Sequence, residues 1–222
     1  QKYQKGNLMQ FNDVIKARTN TYTWDYTKEV DVQLIKDAMY DAYMQAPTKN
    51  LKYPFVIKCI KNDEPNRRKE IMTICHRNDE MPIETDYGNP QVLAPYLIGF
   101  SQRDVTKAEV QYQFYNRTST AVDRYDHLEF GIQAAFIMLA LQDRGLSTGI
   151  TQNCSHDPER CAELFGVDNP IRLILGVGYA SNELEYLDPR TNAMKSVPYD
   201  RKNIDQIYNR PSFEEVYKVE EE

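Results

Sequence analysis

The sequence predicts an α+β fold in which helices flank a modest β-sheet. Several segments carry apolar residues at helical spacing, and several shorter ones have the composition of buried strands. The chain has 222 residues, which suits a single domain with one hydrophobic core. We expect this domain to cover residues 9–210, with a tag or disordered leader at 1–8 and an acidic tail at 211–222.

Two helices are predicted in the first fifty residues. A short apolar pattern over Phe11–Lys16 is followed by residues 18–21, whose types favour a helix end and a polar corner. Asp31 is a suitable N-cap for a second helix with one apolar face. Pro47 ends this second helix, because proline cannot continue the hydrogen bonding, and an exposed loop should follow.

Two strands are predicted in the next fifty residues. Phe55–Ile60 and Tyr96–Phe100 are rich in β-branched and aromatic residues. The charged segment that follows the first of them is compatible with another helix. Three prolines between Asn78 and Pro95 predict a loop before the second strand.

The most apolar segment is a predicted helix over Asp126–Arg144, ended by Gly145. Its apolar residues occupy nearly every side of the helix, so the helix has to be covered all round. In a domain of this size, a second subunit packed on part of the helix provides that cover most simply. A homodimer is therefore expected from the residues alone.

A short helix and a buried strand are predicted next. An N-cap, a proline at the first helical position and an acid in the first turn stand together at residues 157–159, and Gly166 ends the helix. Ile171–Val177 follows as a buried strand. Past Tyr179 the chain is polar, contains three prolines and shows little periodicity, so we expect it to run over a surface.

Composition argues against several classes of function. The net charge of −6 gives nucleic acid no general attraction, and no apolar run approaches the roughly 20 residues that span a membrane. The four cysteines form no Cys-x-x-Cys pair, which suits a reducing cytoplasm. Cys154, His156 and Cys161 lack a fourth ligand, so no metal site is expected.

Four segments in order resemble those of the FMN-dependent nitroreductase family, and together they span Phe11 to about Tyr208. Residues 14–24 are similar to the family's opening helix and its Arg-x-Ser-x-Arg/Lys-x-aromatic corner, which grips the flavin phosphate and ribityl chain. Arg18 matches the first arginine, whose planar guanidinium holds phosphate oxygens by two parallel hydrogen bonds. Asn20 stands where serine is usual, and Tyr22 stands where a second base is usual.

The second segment, residues 46–55, is similar to the family's Ala-Pro-Ser-x-x-Asn-x-Gln-Pro-Trp loop. Thr48 takes the place of serine, Asn50 falls one position early, and Tyr53 takes the place of glutamine. In the family this loop reaches the flavin bound mainly by the other subunit. Without a flavin, the same residues describe only a helix stop followed by a turn.

The third segment joins the apolar helix to residues 145–153, which are similar to the family's Gly-Leu-Gly turn and strand. Gln152 and Asn153 match the stretch whose backbone faces the central ring of the flavin. A backbone N–H there can bind the ring nitrogen that receives hydride. An ordinary strand end is the alternative interpretation.

The fourth segment comprises residues 172–179 and 198–204, which resemble the family's Gly-Tyr strand and its terminal Lys-x-Arg phosphate site. Arg201 matches the family's arginine, whereas Tyr199 occupies the position of the lysine. The neighbouring Lys202 can compensate for the lost charge. The resemblance therefore implies a phosphate pocket that is less basic than the family's norm.

The resemblance implies the nitroreductase-like fold, with a central mixed or antiparallel β-sheet flanked by helices and a long apolar helix at the dimer interface. It implies FMN as cofactor, NAD(P)H as reductant, and a nitroaromatic or quinone as the small acceptor in a ping-pong reaction. FMN carries the chemistry, so no catalytic side chain is expected. The residues assigned to cofactor binding are Arg18, Thr19, Asn20, Tyr22, Pro47, Thr48, Lys49, Asn50, Gln152, Asn153, Arg201 and Lys202.

Two other functions stay open at the level of the sequence. Because Tyr22 and Tyr199 replace positive charges, the protein can be a non-catalytic or specialised FMN-binding dimer without NAD(P)H turnover. It can also be an interaction protein that keeps the dimeric scaffold and has lost FMN. Loops around the open face of the flavin set the acceptor, so the residues that match the family select no substrate.

Overall fold

The computed structural model describes residues 10–48, 53–75, 89–103, 119–181, 183–187, 194–198 and 216. Within these ranges the helices are α1 (Phe11–Ala17), α2 (Val32–Gln45), α3 (Pro65–Ile74), α4 (Ser119–Asp143) and α5 (Pro158–Phe165). The strands are β1 (Phe55–Lys61), β2 (Tyr96–Gln102), β3 (Ser147–Thr151), β4 (Ile171–Gly178), β5 (Glu183–Leu187) and β6 (Met194–Pro198). Short 3-10 helices cover Pro90–Leu93 and Asn153–His156.

Four of the strands form one sheet in the order β1-β2-β4-β3. Every neighbouring pair in this sheet is antiparallel, so the antiparallel form of the predicted sheet is the correct one. β5 and β6 form a separate antiparallel hairpin. The predicted α+β class is confirmed, and β3 stands at one edge of the four-stranded sheet.

The sheet is covered on both faces, which gives the domain three layers. On one face, Ile98 of β2 and Leu173 of β4 lie in a buried cluster with residues of α2 and α4. On the other face, Leu97 and Ile174 lie in a second cluster with residues of α3, α5 and the 3-10 helix at Pro90–Leu93. Successive side chains of a strand point to opposite faces, so neighbouring residues of β2 and β4 serve different cores.

Local capping signals set the ends of two helices where the sequence predicts them. The carboxylate of Asp31 accepts a hydrogen bond from the N–H of Gln33 at 2.8 Å, which starts α2. Asp157 caps α5 in the same way, accepting from the N–H of Arg160 at 3.1 Å. α5 ends at Gly166, whose φ of 66° is a left-handed conformation that glycine adopts without strain.

α4 differs from its prediction in length and in cover. It begins at Ser119 rather than Asp126, because aspartate inside a helix costs little and need not mark its start. Ile137 and Leu141 are buried against the sheet side, whereas Leu128 and Phe136 are exposed in the single chain. No helix in the described ranges is both long and apolar enough to cross a membrane.

The 3-10 helix at Pro90–Leu93 lies where a loop is predicted, and distant side chains hold it. Trp24 donates its indole N–H to the carbonyl of Pro90, and Tyr26 donates its hydroxyl to the carbonyl of Leu93, each at 2.8 Å. Asn62 donates to the carbonyl of Val92, also at 2.8 Å. These partners are far away in the sequence, so the local proline pattern does not reveal the helix.

Candidate functional site

The polar corner after α1, residues 18–22, lies along the edge of the sheet formed by β3. The N–H of Thr21 donates to the carbonyl of Thr148 at 2.8 Å, and Asn20 pairs with Thr148 in a parallel bridge. The side chain of Asn20 reaches further along the strand, where its Oδ1 accepts a hydrogen bond from the N–H of Ile150 at 2.8 Å. The corner and the edge strand therefore form one structural unit.

A glycine in β3 lets the corner approach this closely. A methyl group on Gly149 would lie 2.1 Å from the carbonyl oxygen of Thr21 and 2.9 Å from Cγ of Gln91. No side chain fits at the first of these distances. Any larger residue at Gly149 would therefore push the corner away from the strand.

The alternation along β3, carried one residue past its end at Thr151, assigns the N–H of Gln152 to the same edge. Both backbone groups of an antiparallel strand residue point to one side, and the side alternates along the chain. The carbonyl of Thr148 and the N–H of Ile150 face the corner, and Gln152 is the next residue in that alternation. The N–H of Asn153, by contrast, donates to Oγ1 of Thr151 at 3.2 Å. Of the two predicted residues, Gln152 is the one that offers an outward backbone donor.

Buried polar side chains support this end of β3 from behind. The hydroxyl of Thr151 donates to Oδ1 of Asn89 at 3.3 Å, and the amide of Asn89 donates to the carbonyl of Cys75. Gln91 is buried and donates to the carbonyl of Ile150 at 3.5 Å. Asn89 and Gln91 lie in the segment predicted as a loop and are not among the predicted site residues. Their part in fixing the strand end is a finding of the structure.

The corner carries a positive charge at Arg18 and a hydrogen-bonded hydroxyl at Tyr22. Arg18 is half-buried directly after α1 and forms no ion pair with the part of the chain that the structure describes. The hydroxyl of Tyr22 accepts a hydrogen bond from Nδ2 of Asn20 at 2.8 Å. Thr19, between Arg18 and Asn20, is half-buried. A permanently charged guanidinium that no carboxylate of the described residues neutralises fits an anionic group such as a phosphate.

The Pro47–Thr48 segment lies against α4 and not against the corner. The hydroxyl of Thr48 donates to Glu129 at 2.7 Å and accepts from the N–H of Tyr53 at 3.3 Å. Glu129 is 4% exposed and is the one buried charged side chain in the described ranges. Glu129 is not among the predicted site residues, although a carboxylate inside the most apolar segment is a usable signal.

Tyr53 closes this segment with an uncommon backbone conformation. Its φ of 44° is the one positive value among the described residues other than glycine, and a bulky side chain is strained there. Besides the bond from its N–H to Thr48, its carbonyl accepts from Nε of Arg103 at 2.9 Å. The strained residue is thus held from both of its peptide groups.

The remaining predicted site residues lie outside the described residues. They are Lys49, Asn50, Arg201 and Lys202, together with the departure from the family at Tyr199.

Three buried thiols lie together beneath the strand end. Cys75, Cys154 and Cys161 belong to one hydrophobic cluster, and all four cysteines of the chain are free. Burial raises the pKa of Cys154 to about 12, and a hydrogen bond with Cys161 raises the pKa of Cys75. Cys75 and Cys154 are therefore neutral thiols that pack as small apolar groups. Within the described ranges, no group of three or more His, Cys, Asp or Glu residues could hold a metal ion.

The fold is that of the nitroreductase family. A nitroreductase family protein from Streptococcus pneumoniae TIGR4 superposes with a TM-score of 0.62 at 18% identity, covering 91% of this chain and 100% of that one. The NADPH:FMN oxidoreductase from Vibrio harveyi, complexed with NAD+, gives 0.59 at 15% identity, covering 89% and 81%. The FMN- and NADPH-dependent nitroreductase NfnB from sphigopyxis sp. strain HMH gives 0.57 at 12% identity, covering 92% and 100%.

Likeness at the level of sequence is much weaker than likeness of structure. No family model matches the sequence, and no curated protein matches it at a significant level. The predicted nitroreductase-like fold is thus confirmed by structural superposition.

Proposed function

We propose that this chain is an FMN-dependent oxidoreductase that passes electrons from NAD(P)H to a small acceptor such as a nitroaromatic or quinone, by a ping-pong mechanism. The fold is shared with nitroreductases and with an NADPH:FMN oxidoreductase. The observation that carries the proposal beyond the fold is the bond between Asn20 and Ile150. It joins the corner that bears Arg18 to the strand end that directs Gln152 N–H outward.

The residues at this edge fit FMN by the chemistry of their donors. Arg18 would hold the phosphate, because a guanidinium matches phosphate oxygens with two parallel hydrogen bonds. The outward N–H of Gln152 would donate to the polar edge of the flavin ring and so orient it. FMN, when bound, supplies the hydride and electron transfer, so the chain needs no catalytic side chain of its own.

A homodimer in a reducing cytoplasm is part of the same proposal. α1 and α2 both contact α4, and each of these helices exposes large apolar side chains in the single chain. Several exposed large apolar side chains on neighbouring helices are typical of protein interfaces. The exposed apolar residues of the three helices are Phe11, Ile15, Val32, Tyr40, Tyr43, Met44, Leu128 and Phe136.

The proposed reaction is tested on the protein as purified and saturated with FMN. We expect a yellow protein whose flavin absorbance bleaches when NADPH or NADH is added without oxygen, and recovers when a quinone follows. The same spectrum with free FMN alone is the control for direct reduction. Colour that persists with both nicotinamides would contradict the proposed electron transfer.

One observation favours a second function, FMN binding without nicotinamide turnover. Where the family has a second base, this chain has Tyr22, whose hydroxyl is bound to Asn20. The corner therefore places less positive charge beside the flavin, which would make the bound flavin harder to reduce by hydride. Tight retention of FMN combined with no bleaching by either nicotinamide would select this function over the first.

A further inference from the structure

Asn20 is bound on both sides by the protein itself. Its Oδ1 accepts from the N–H of Ile150 and its Nδ2 donates to the hydroxyl of Tyr22, each at 2.8 Å. An amide makes both bonds at once because it carries its acceptor and its donor on separate atoms. One oxygen and one N–H of the amide are thus committed within the chain.

The bond from Ile150 to Asn20 satisfies a backbone N–H on the outer edge of β3. This strand is an edge of the sheet, so its outward backbone groups rely on the corner for partners. Thr148 receives its bond from the backbone of Thr21, whereas Ile150 receives its bond from a side chain. Ile150 is two residues before Gln152 on the same free edge. The bond from Asn20 therefore holds the edge of β3 two residues before Gln152.

We propose that Asn20 is a positioning residue for the flavin ring and not a phosphate ligand. Through Ile150 it fixes the strand end that presents the N–H of Gln152, and Tyr22 holds its amide in the required orientation. The inference rests on the proposed FMN binding and assigns phosphate recognition at the corner to Arg18. The corner then serves two parts of the cofactor through two different side chains.

Riboflavin separates the two roles, because it carries the ring and the ribityl chain but no phosphate. We expect Asn20→Ala to weaken the binding of FMN and the binding of riboflavin by the same factor, on the order of tenfold for one lost hydrogen bond. Arg18→Ala should weaken FMN and leave riboflavin within about twofold, since only the phosphate contact is lost. Dissociation constants from the quenching of flavin fluorescence give all of these values.

A second variant and a second readout keep the test independent of folding defects. Asn20→Asp retains an oxygen for Ile150, so riboflavin affinity should stay near that of the wild type. In flavin-free protein, amide hydrogen exchange at Ile150 should accelerate in Asn20→Ala and stay slow in Asn20→Asp, provided that the strand bond is the relevant contact.

The outcomes distinguish this inference from the proposed function. If the wild-type chain binds neither FMN nor riboflavin, both the proposed function and the inference about Asn20 are wrong. If the wild type binds FMN but Asn20→Ala weakens FMN alone, Asn20 is a phosphate ligand and the inference is wrong. Unchanged affinities for both flavins in Asn20→Ala, with unchanged exchange at Ile150, would also overturn it and leave the proposed function standing.

Discussion

Single polar side chains join parts of this chain that are distant in sequence. Asn20 reaches Ile150 across 130 residues, and Thr48 reaches Glu129 across 81. In each case one side chain connects a surface segment to an element of the core. Local patterns identify the segments around Arg18 and Pro47, but they contain no information about which distant group completes each contact.

The contact between Thr48 and Glu129 should contribute measurably to stability. Thr48→Val removes the hydroxyl and leaves a buried carboxylate short of one donor, which should lower the free energy of unfolding by about 2 kcal/mol. Glu129→Gln keeps an acceptor oxygen and should cost less. Guanidinium unfolding of Thr48→Val, of Glu129→Leu, which removes the acceptor, and of their double mutant measures the coupling. Strictly additive losses would contradict a direct contact.

The buried thiols predict a loss of stability at high pH. Burial raises the pKa of Cys154 from an ordinary 9.0 to about 12, so the folded chain holds this proton more tightly than the unfolded chain. The resulting stabilisation is fully present below about pH 9 and is lost as the pH rises towards about 12. Urea unfolding across this range should give a falling free energy with a shallower slope in Cys154→Ala. An identical slope in both proteins would rule out this thiol as the cause.

Elements with local signals are predictable from the sequence, and elements held by distant contacts are not. α5 carries its own N-cap at Asp157 and its own stop at Gly166, so its prediction is confirmed at both ends. The 3-10 helix at Pro90–Leu93 depends on side chains from three other segments, and a loop was predicted there. The β5–β6 hairpin lies where polar composition and prolines predict a chain that runs over a surface, so the prediction contains no strand there.

The same distinction applies to the candidate site. The corner at residues 18–22 and the strand end at 152–153 are visible as sequence patterns. Their junction is not, because it depends on a close approach at Gly149 and on support from Asn89 and Gln91. Packing of this kind is decided in three dimensions and leaves no periodic trace in the chain.

Gly149→Ala tests the junction between the corner and β3. The added methyl group would meet the carbonyl of Thr21 at 2.1 Å, so the corner must move. We expect a loss of about 1–3 kcal/mol in stability, as for overpacking in a core, together with weaker FMN binding. Chemical unfolding and FMN titration measure the two effects.

Gly131→Ala is the matched control for that substitution. Nothing lies within 4 Å of the added methyl group, and the residue is within α4, where alanine is favoured over glycine by about 0.5–1 kcal/mol. It should therefore be at least as stable as the wild type. Equal stabilities and equal FMN affinities of the two alanine variants would show that the corner does not depend on contact at Gly149.

The whole molecule is a three-layer domain with two differently exposed outer layers. The layer formed by α2 and α4 covers one core and also carries exposed aromatic and aliphatic side chains, whereas the opposite layer is anchored by hydrogen bonds to the 3-10 helix. Among the described residues, eight of the ten exposed large apolar side chains lie on α1, α2 and α4. We place the proposed dimer interface there.

Phe136→Asp tests this interface. Phe136 on α4 is 38% exposed, and a charge buried between two subunits would oppose association. We expect a shift from dimer to monomer, measured by sedimentation or light scattering. Val56→Asp on β1 is the matched control, because Val56 is also 38% exposed and lies on a different element. A dimer that tolerates Phe136→Asp as well as Val56→Asp would place the interface elsewhere.

FMN binding by this chain is tested most directly by titrating the purified protein with FMN and recording the quenching of flavin fluorescence. We expect saturable binding with one FMN per chain, weakened in Arg18→Ala, because the proposed cofactor site combines the corner with the end of β3. Fluorescence that stays equal to that of free FMN throughout the titration would contradict it.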